Sequence, residues 1–308
     1  MKKLLASLLV LILAAAAALP AFADSTPAIY KVTDGEGRFI YLMGTCHVLT
    51  PDCLPIAGID GLLDQCTAVA LEMDVNEDLS GAMDAIMDLS GNTLSEETRG
   101  RIADFFDAKG LGMLKAAIPQ LSANALSLLV TIFMVMDPSA GELTSPELYL
   151  NELAQARGLT LIGLETADDQ TQALTDGLMI YTDEEAEEII NSLLDTADTY
   201  AAYIRSLQEA WASGDEAALL AVSQLEQYGG GKSDVTLDVI ATDRNDVFYD
   251  GIVDLIGNGG GVFVAVGLLH VFDPANGLLV QFENAGYTVE RWSPGEAAPA
   301  EEEALPAA

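Results

Sequence analysis

The sequence predicts an α/β fold: a central sheet, mostly parallel or mixed, flanked by helices, with a large helical insertion between the second and third core strands. Three observations lead there. Four short apolar runs, Phe39 to Met43, Ala68 to Leu71, Leu159 to Ile162 and Val262 to Val266, are bounded by turn residues and read as buried strands. Helical sequence separates the runs, as parallel strands require of their connections. Between Glu77 and Arg157 the reading is helical throughout, which makes residues 77–157 the insertion.

Taken in chain order, the first 23 residues have the make-up of a secretory signal. Lys2 and Lys3 precede an apolar run from Leu4 to Leu19, then Pro20 and the small-x-small site Ala21-Phe22-Ala23. Cleavage is expected after Ala23. The run is short for a bilayer span, so no integral span is expected after cleavage, and the location is secreted, periplasmic or cell-surface. A single domain is expected over residues 24–293.

Within the insertion, Ala123 to Met136 is strongly apolar but too short to cross a bilayer, so a buried helix is expected. An apolar lid facing substrate or membrane is the alternative. Pro146 fits the first helical position after a Ser145 cap, with Gly158 as the stop beyond Arg157. Thr182 and Glu185 form a capping box that opens helical sequence to about Tyr228, broken at Gly214. Gly229-Gly230-Gly231 is a loop, and Asp234 to Ile256 resumes a helix. The glycines of 257–261 lead into a strand rather than opening a helix, so they lack the context of a phosphate loop. Asn276 to Ala285, Gly286 and Tyr287 to Trp292 read as helix, C-cap and edge strand. Residues 294–308 are a disordered acidic tail of Pro, Ala and Glu.

The charge is strongly negative, with 48 acids against 13 Lys and Arg and a net −35. Such a surface repels nucleic acid and anionic headgroups and attracts cations, so no nucleic-acid partner is expected. Three cysteines, Cys46, Cys53 and Cys66, leave at least one thiol over. Cys53 and Cys66 are candidates for a disulfide, which export permits. Their spacing fits no common zinc-ligand pattern.

The chemistry gathers at the strand ends. The first run leads into Gly44-Thr45-Cys46-His47 and the last into Gly267-Leu268-Leu269-His270. These are the chain's only two histidines, both with glycine three places before, a coincidence of about one in 120 by chance. Glycine lets the backbone turn without Cβ clashes and allows close approach. The second run leads directly into Glu72, and the third into Gly163-Leu164-Glu165. Since ligands of α/β sheets bind at the carboxyl ends of strands, two imidazoles and two carboxylates are expected at one edge. Neutral imidazole with carboxylate oxygen suits a divalent ion such as Zn²⁺, Mn²⁺, Fe²⁺ or Co²⁺. Glu72 would be a ligand or general base, and Glu165 a further ligand, an orienting acid or merely a helix cap. Arg244, on an otherwise acidic helix, would pair with a site carboxylate, hold a substrate oxyanion or form a surface ion pair. Asp74 reads as a bystander, and Asp52 and Asp273 as turn residues.

The motifs Tyr41-Leu42-Met43-Gly44-Thr45-Cys46-His47, Leu71-Glu72, Gly163-Leu164-Glu165-Thr166, Arg244-Asn245 and Val266-Gly267-Leu268-Leu269-His270 stand in the order seen in one family. Through them the chain resembles the TraB/GumN family, related to the Tiki metalloproteases and more distantly to the erythromycin-esterase-like proteins. The resemblance spans roughly residues 28 to 292. It implies a metal site built on His47, Glu72 and His270, supported by Glu165 and Arg244, with peptide hydrolysis known among the Tiki relatives. Cys46 and the Val271-Phe272-Asp273-Pro274 stretch depart from the family's usual residues, which bears on the pocket rim rather than the ligand set. The reading is an exported metal-dependent hydrolase acting on a peptide or protein. The alternative is a non-catalytic protein of the pheromone-shutdown kind, binding a peptide or signal on the same fold.

Overall fold

Strands β1 (Ile29–Thr33), β2 (Phe39–Thr45), β3 (Ala68–Leu71), β4 (Thr160–Gly163), β5 (Val262–Gly267) and β6 (Thr288–Arg291) form one mixed sheet. Their order is β4-β3-β5-β2-β1-β6. This is seen in a computed structural model that describes residues 24–47, 49–77, 87–134, 144–223 and 242–294. The signal segment, the Gly229-Gly230-Gly231 loop, the start of the helix expected from Asp234 and the tail beyond Pro294 lie outside the described residues.

The four predicted strands, β4, β3, β5 and β2, run parallel to one another. β3 and β5 are buried at every position, because helices cover both faces and no polar alternation is called for. β4 differs from expectation: it is an edge strand, and its residues are half-buried or exposed. β1 was not among the predicted strands. It runs antiparallel between β2 and β6, and Lys31 and Thr33 interrupt its apolar run because they are only half-buried. Asp34 fixes the hairpin into β2, its carboxylate accepting the Glu36 and Arg38 backbone N–H groups at 2.9 Å.

Eleven α-helices occur among the described residues: α1 (Ile59–Leu63), α2 (Glu96–Ala108), α3 (Ala123–Met134), α4 (Pro146–Arg157), α5 (Ala167–Leu178), α6 (Asp183–Asp195), α7 (Ala197–Ser213), α8 (Glu216–Ser223), α9 (Asp243–Gly257), α10 (Leu268–Phe272) and α11 (Leu278–Asn284). The predicted end signals act as read. Ser145 caps α4 by accepting from Leu148 N, and Gly158 ends that helix in the left-handed region. Thr182 and Glu185 complete the capping box of α6.

These helices serve two separate cores. One lies on the sheet and includes Leu42, Phe263, Trp211 and Phe282. The other is wholly helical, built from α2, α3 and α6 around Ile102, Phe106, Leu126, Phe133 and Ile190. The predicted insertion is therefore divided. Leu150 and Ala154 place α4 on the sheet as the crossover between β3 and β4, while residues 87–134 belong to the second core. Nor is the insertion helical throughout. Around Gly110, Gly112 and Pro119 it becomes a 3-10 turn (Gly112–Ala117), tied down where Asn92 Nδ2 donates to Ile118 O at 2.7 Å and Leu121 O at 2.8 Å. α3 is buried in the helical core, as expected of its apolar sequence. No helix among the described residues is long and apolar enough to cross a membrane.

α7 joins the two cores. Tyr200 near its start packs on the helical core, while Trp211 near its end is fully buried on the sheet and donates from Nε1 to Gly44 O at 2.8 Å. The cysteines correct one expectation. Cys46, Cys53 and Cys66 are all buried, and no disulfide joins Cys53 to Cys66. Cys66 Sγ donates to Leu62 O at 3.3 Å, and Cys53 Sγ lies 3.6 Å from Thr50 Oγ1, so each thiol is turned toward its own local partner. Burial also pushes the Cys66 thiol up to about 12, which keeps it protonated.

Because Phe133 is fully buried and meets Phe106 edge-to-face, Phe133→Ala is expected to cost about 3–5 kcal/mol. Urea unfolding monitored by circular dichroism measures it.

Candidate functional site

The carboxyl ends of β2, β5, β3 and β4 open on one edge of the sheet, and the predicted residues meet there. Glu72 directly follows β3 and is buried. Its Oε1 accepts the Gly267 N–H at 2.6 Å, and its Oε2 accepts Arg244 Nη2 at 2.8 Å and Gln170 Nε2 at 3.4 Å. The Nε2 atoms of His270 and His47 face the same Oε1 at 3.7 and 3.9 Å. Those spacings are too long for hydrogen bonds.

The other nitrogen of each imidazole is engaged. His47 Nδ1 lies 2.8 Å from Glu147 Oε1, and His270 Nδ1 lies 2.6 Å from Asn245 Oδ1. Asn245 Nδ2 donates to Asn276 O at 2.9 Å, which leaves the amide oxygen to face His270. Both acceptors call for a proton on Nδ1, so a neutral ring turns the Nε2 lone pair toward Glu72.

The two Gly-x-x-His turns differ locally. After β2 the chain bends into a loop that carries His47, whereas after β5 it enters α10 and His270 is helical. Neither glycine takes a positive φ, so space rather than backbone freedom requires them. A Cβ on Gly267 would lie 2.9 Å from Glu72 Oε1 and 3.0 Å from His47 Nε2, inside the site itself. A Cβ on Gly44 would meet Phe272 Cε2 at 3.0 Å and Leu268 Cα at 3.1 Å, where α10 packs on the strand.

Arg244 opens α9 and is held between two carboxylates. Its Nε donates to Glu165 Oε2 at 3.0 Å, its Nη2 reaches both Glu165 Oε1 and Glu72 Oε2, and its guanidinium lies 5.0 Å from the Phe248 ring centre. Phe248 in turn stands edge-on to His270, ring centres 4.7 Å apart. Glu165 N donates to Glu72 O at 2.8 Å, extending the β3–β4 pairing beyond the strands.

Charge follows from these contacts. Burial alone would push the Glu72 carboxyl up, but His270, His47, Arg244 and the Gly267 N–H outweigh it and hold the group at about 2. Burial raises Glu165 above its ordinary value against the pull of Arg244. Glu147 is lowered: burial opposes ionisation, but the charge and hydrogen bond of His47 prevail, helped by the nearby Thr45 hydroxyl. That hydroxyl is buried and has no well-formed hydrogen bond among the described residues. His47 is raised, since the cost of shielding part of its largely exposed ring from water is outweighed by Glu147 and then by Glu72.

The predicted residues therefore lie together at one sheet edge. Glu165 meets Arg244 rather than the imidazoles, the contact expected of an orienting acid rather than of a further ligand. Asp74 and Asp273 are turn residues, accepting from Asn76 N at 2.8 Å and Ala275 N at 2.9 Å. Sequence reasoning missed Glu147, Asn245 and Gln170 as site residues. Asn245 was signalled only by standing next to Arg244, and Glu147 by a helix start on the same sheet edge. Among the described residues, no group of three or more His, Cys, Asp or Glu is gathered tightly enough to hold a metal ion as it stands.

A protein-family model described as the TraB/PrgY/gumN family matches residues 28–291. Neither a curated protein nor a solved structure matches the chain.

The lowered Glu72 group contributes stability that is present above its unfolded value near 4.5 and is lost as pH falls toward about 2. Urea unfolding of the metal-free protein from about pH 5 to about pH 2 is expected to show wild type losing on the order of 3 kcal/mol more than Glu72→Gln. In the same assay Gly267→Ala, which crowds Glu72 and His47, is expected to cost about 1–3 kcal/mol.

Proposed function

As the chain belongs to the TraB/PrgY/gumN family and two imidazoles face one buried carboxylate oxygen, we propose that it is a metal-dependent hydrolase acting on peptides or proteins. The observation that carries this is the pair of Nε2-to-Oε1 spacings, 3.9 Å from His47 and 3.7 Å from His270. Donors at about 2.0–2.1 Å from a tetrahedral ion stand about 3.4 Å apart, so each spacing needs to close by only a few tenths of an ångström. The donor set suits Zn²⁺, Mn²⁺, Co²⁺ or Fe²⁺. When bound, such an ion supplies a lowered water pKa and a Lewis acid for a carbonyl oxygen.

The chain's own residues divide the work. His47, His270 and Glu72 would hold the ion. Glu72, whose Oε1 faces the Nε2 atoms of both imidazoles, would serve as a ligand. Arg244 steadies Glu72, and Glu165 steadies Arg244. The peptide substrate rests on the resemblance to the Tiki relatives, and export on the N-terminal segment, whose make-up supports action outside the cytoplasm.

Purified wild type is expected to bind a single divalent ion, and His47→Ala and His270→Ala to lose it, by elemental analysis of the three proteins. Equal metal in all three would sink the shared site. Peptide mixtures incubated with Mn²⁺, Co²⁺ or Zn²⁺ should yield products by mass spectrometry that a chelator abolishes. Peptide binding without product under every ion would favour the non-catalytic signal-binding reading instead.

A further inference from the structure

His270 and His47 are held in place by different means. His270 is 5 % exposed, packed on Phe248 and fixed by Asn245. His47 is 61 % exposed and stands on a loop, so packing does not select its ring orientation. What does select it comes from the far end of the insertion. Leu49 and Thr144 exchange two backbone hydrogen bonds, Leu49 N to Thr144 O at 2.8 Å and Thr144 N to Leu49 O at 3.0 Å, which fasten the His47 loop to the start of α4. Ser145 caps that helix and Pro146 begins it, and the next residue, Glu147, meets the exposed ring with a side chain only 14 % exposed.

We infer that Glu147 is a positioning residue: its carboxylate accepts the His47 Nδ1–H and thereby aims Nε2 of a solvent-exposed ring at Glu72 Oε1. This rests on the metal-site reading above. An ionised acceptor on the outer nitrogen fixes the tautomer and makes the inner nitrogen a better donor. The carboxylate matters here more than the amide does at His270, because among the described residues it makes the one hydrogen bond to the exposed ring.

Glu147→Ala and Glu147→Gln test this, the glutamine keeping an acceptor oxygen without the charge. Zn²⁺ alone, titrated into the purified metal-free chain, is expected to bind about 10–100-fold more weakly to Glu147→Ala, with Glu147→Gln recovering part of the loss. A readout independent of metal is available because the chain has two histidines. Long-range ¹H–¹⁵N spectra of the metal-free protein, recorded where the imidazoles are neutral, should show His47 leaving the Nδ1–H tautomer in Glu147→Ala while His270 is unchanged. A purely structural role at the helix start would lower stability and leave both imidazole patterns alone. The inference is overturned if wild type binds Zn²⁺, Glu147→Ala binds it equally well and the His47 tautomer does not change. Should no protein bind Zn²⁺ while the His47 tautomer still responds, the metal-site reading fails and the positioning role stands.

Discussion

A carboxylate at the end of a strand buried on both faces must either be neutral or be surrounded by donors. Glu72 is surrounded, and much of the site follows from that. Its Oε1 needs the Gly267 N–H, and that approach leaves no room for a side chain on residue 267. Its Oε2 needs Arg244, and a guanidinium brought into the interior needs a second carboxylate, which Glu165 supplies from the end of β4. Arg244 also rests on Phe248, and the same ring packs on His270. One buried negative charge thus ties together β3, β4, β5 and α9.

How much of this could be read beforehand depends on how rare the residue is and how its strand is buried. β2, β3 and β5 announce themselves because strands covered on both faces read as unbroken apolar runs. β4 has the same kind of run yet lies at the edge, and nothing in a four-residue segment separates the two cases. β1 alternates with Lys31 and Thr33 as a half-exposed antiparallel strand does, so it resembles surface sequence. At the site, two histidines in the whole chain and a scarcity of Arg made His47, His270 and Arg244 conspicuous. Glu147 was hidden by the opposite circumstance: in a chain with 48 acids, a glutamate in the first turn of a helix is what helix electrostatics alone would place there. The role of each glycine was legible only in outline, since which atoms crowd it depends on strand order and register.

The two cores give the molecule a division that composition does not reveal. Both are apolar and both are wrapped in acidic helices, but only the sheet core ends at the site. The helical core is fastened to itself by a polar seam in which Glu187 of α6 accepts from Ser95 N at 3.2 Å and Thr98 Oγ1 at 2.6 Å at the start of α2. An anion at a helix N-terminus is well placed electrostatically, so this seam uses a surface charge productively. α7 then carries the relation between the two cores along its length, from Tyr200 to Trp211.

The brevity of the outermost strands has its own consequence. β4 and β6 close the sheet at its two ends and are four residues each, and β6 carries Glu290 and Arg291. Unpaired strand edges are templates on which another chain can add a strand, and the longer and more apolar the edge, the greater the hazard. Here the long, apolar strands β2 and β5 lie in the interior of the sheet. The rims offer a neighbouring copy only a short and partly charged foothold, a built-in resistance to self-association into extended sheets that does not depend on the acidic surface.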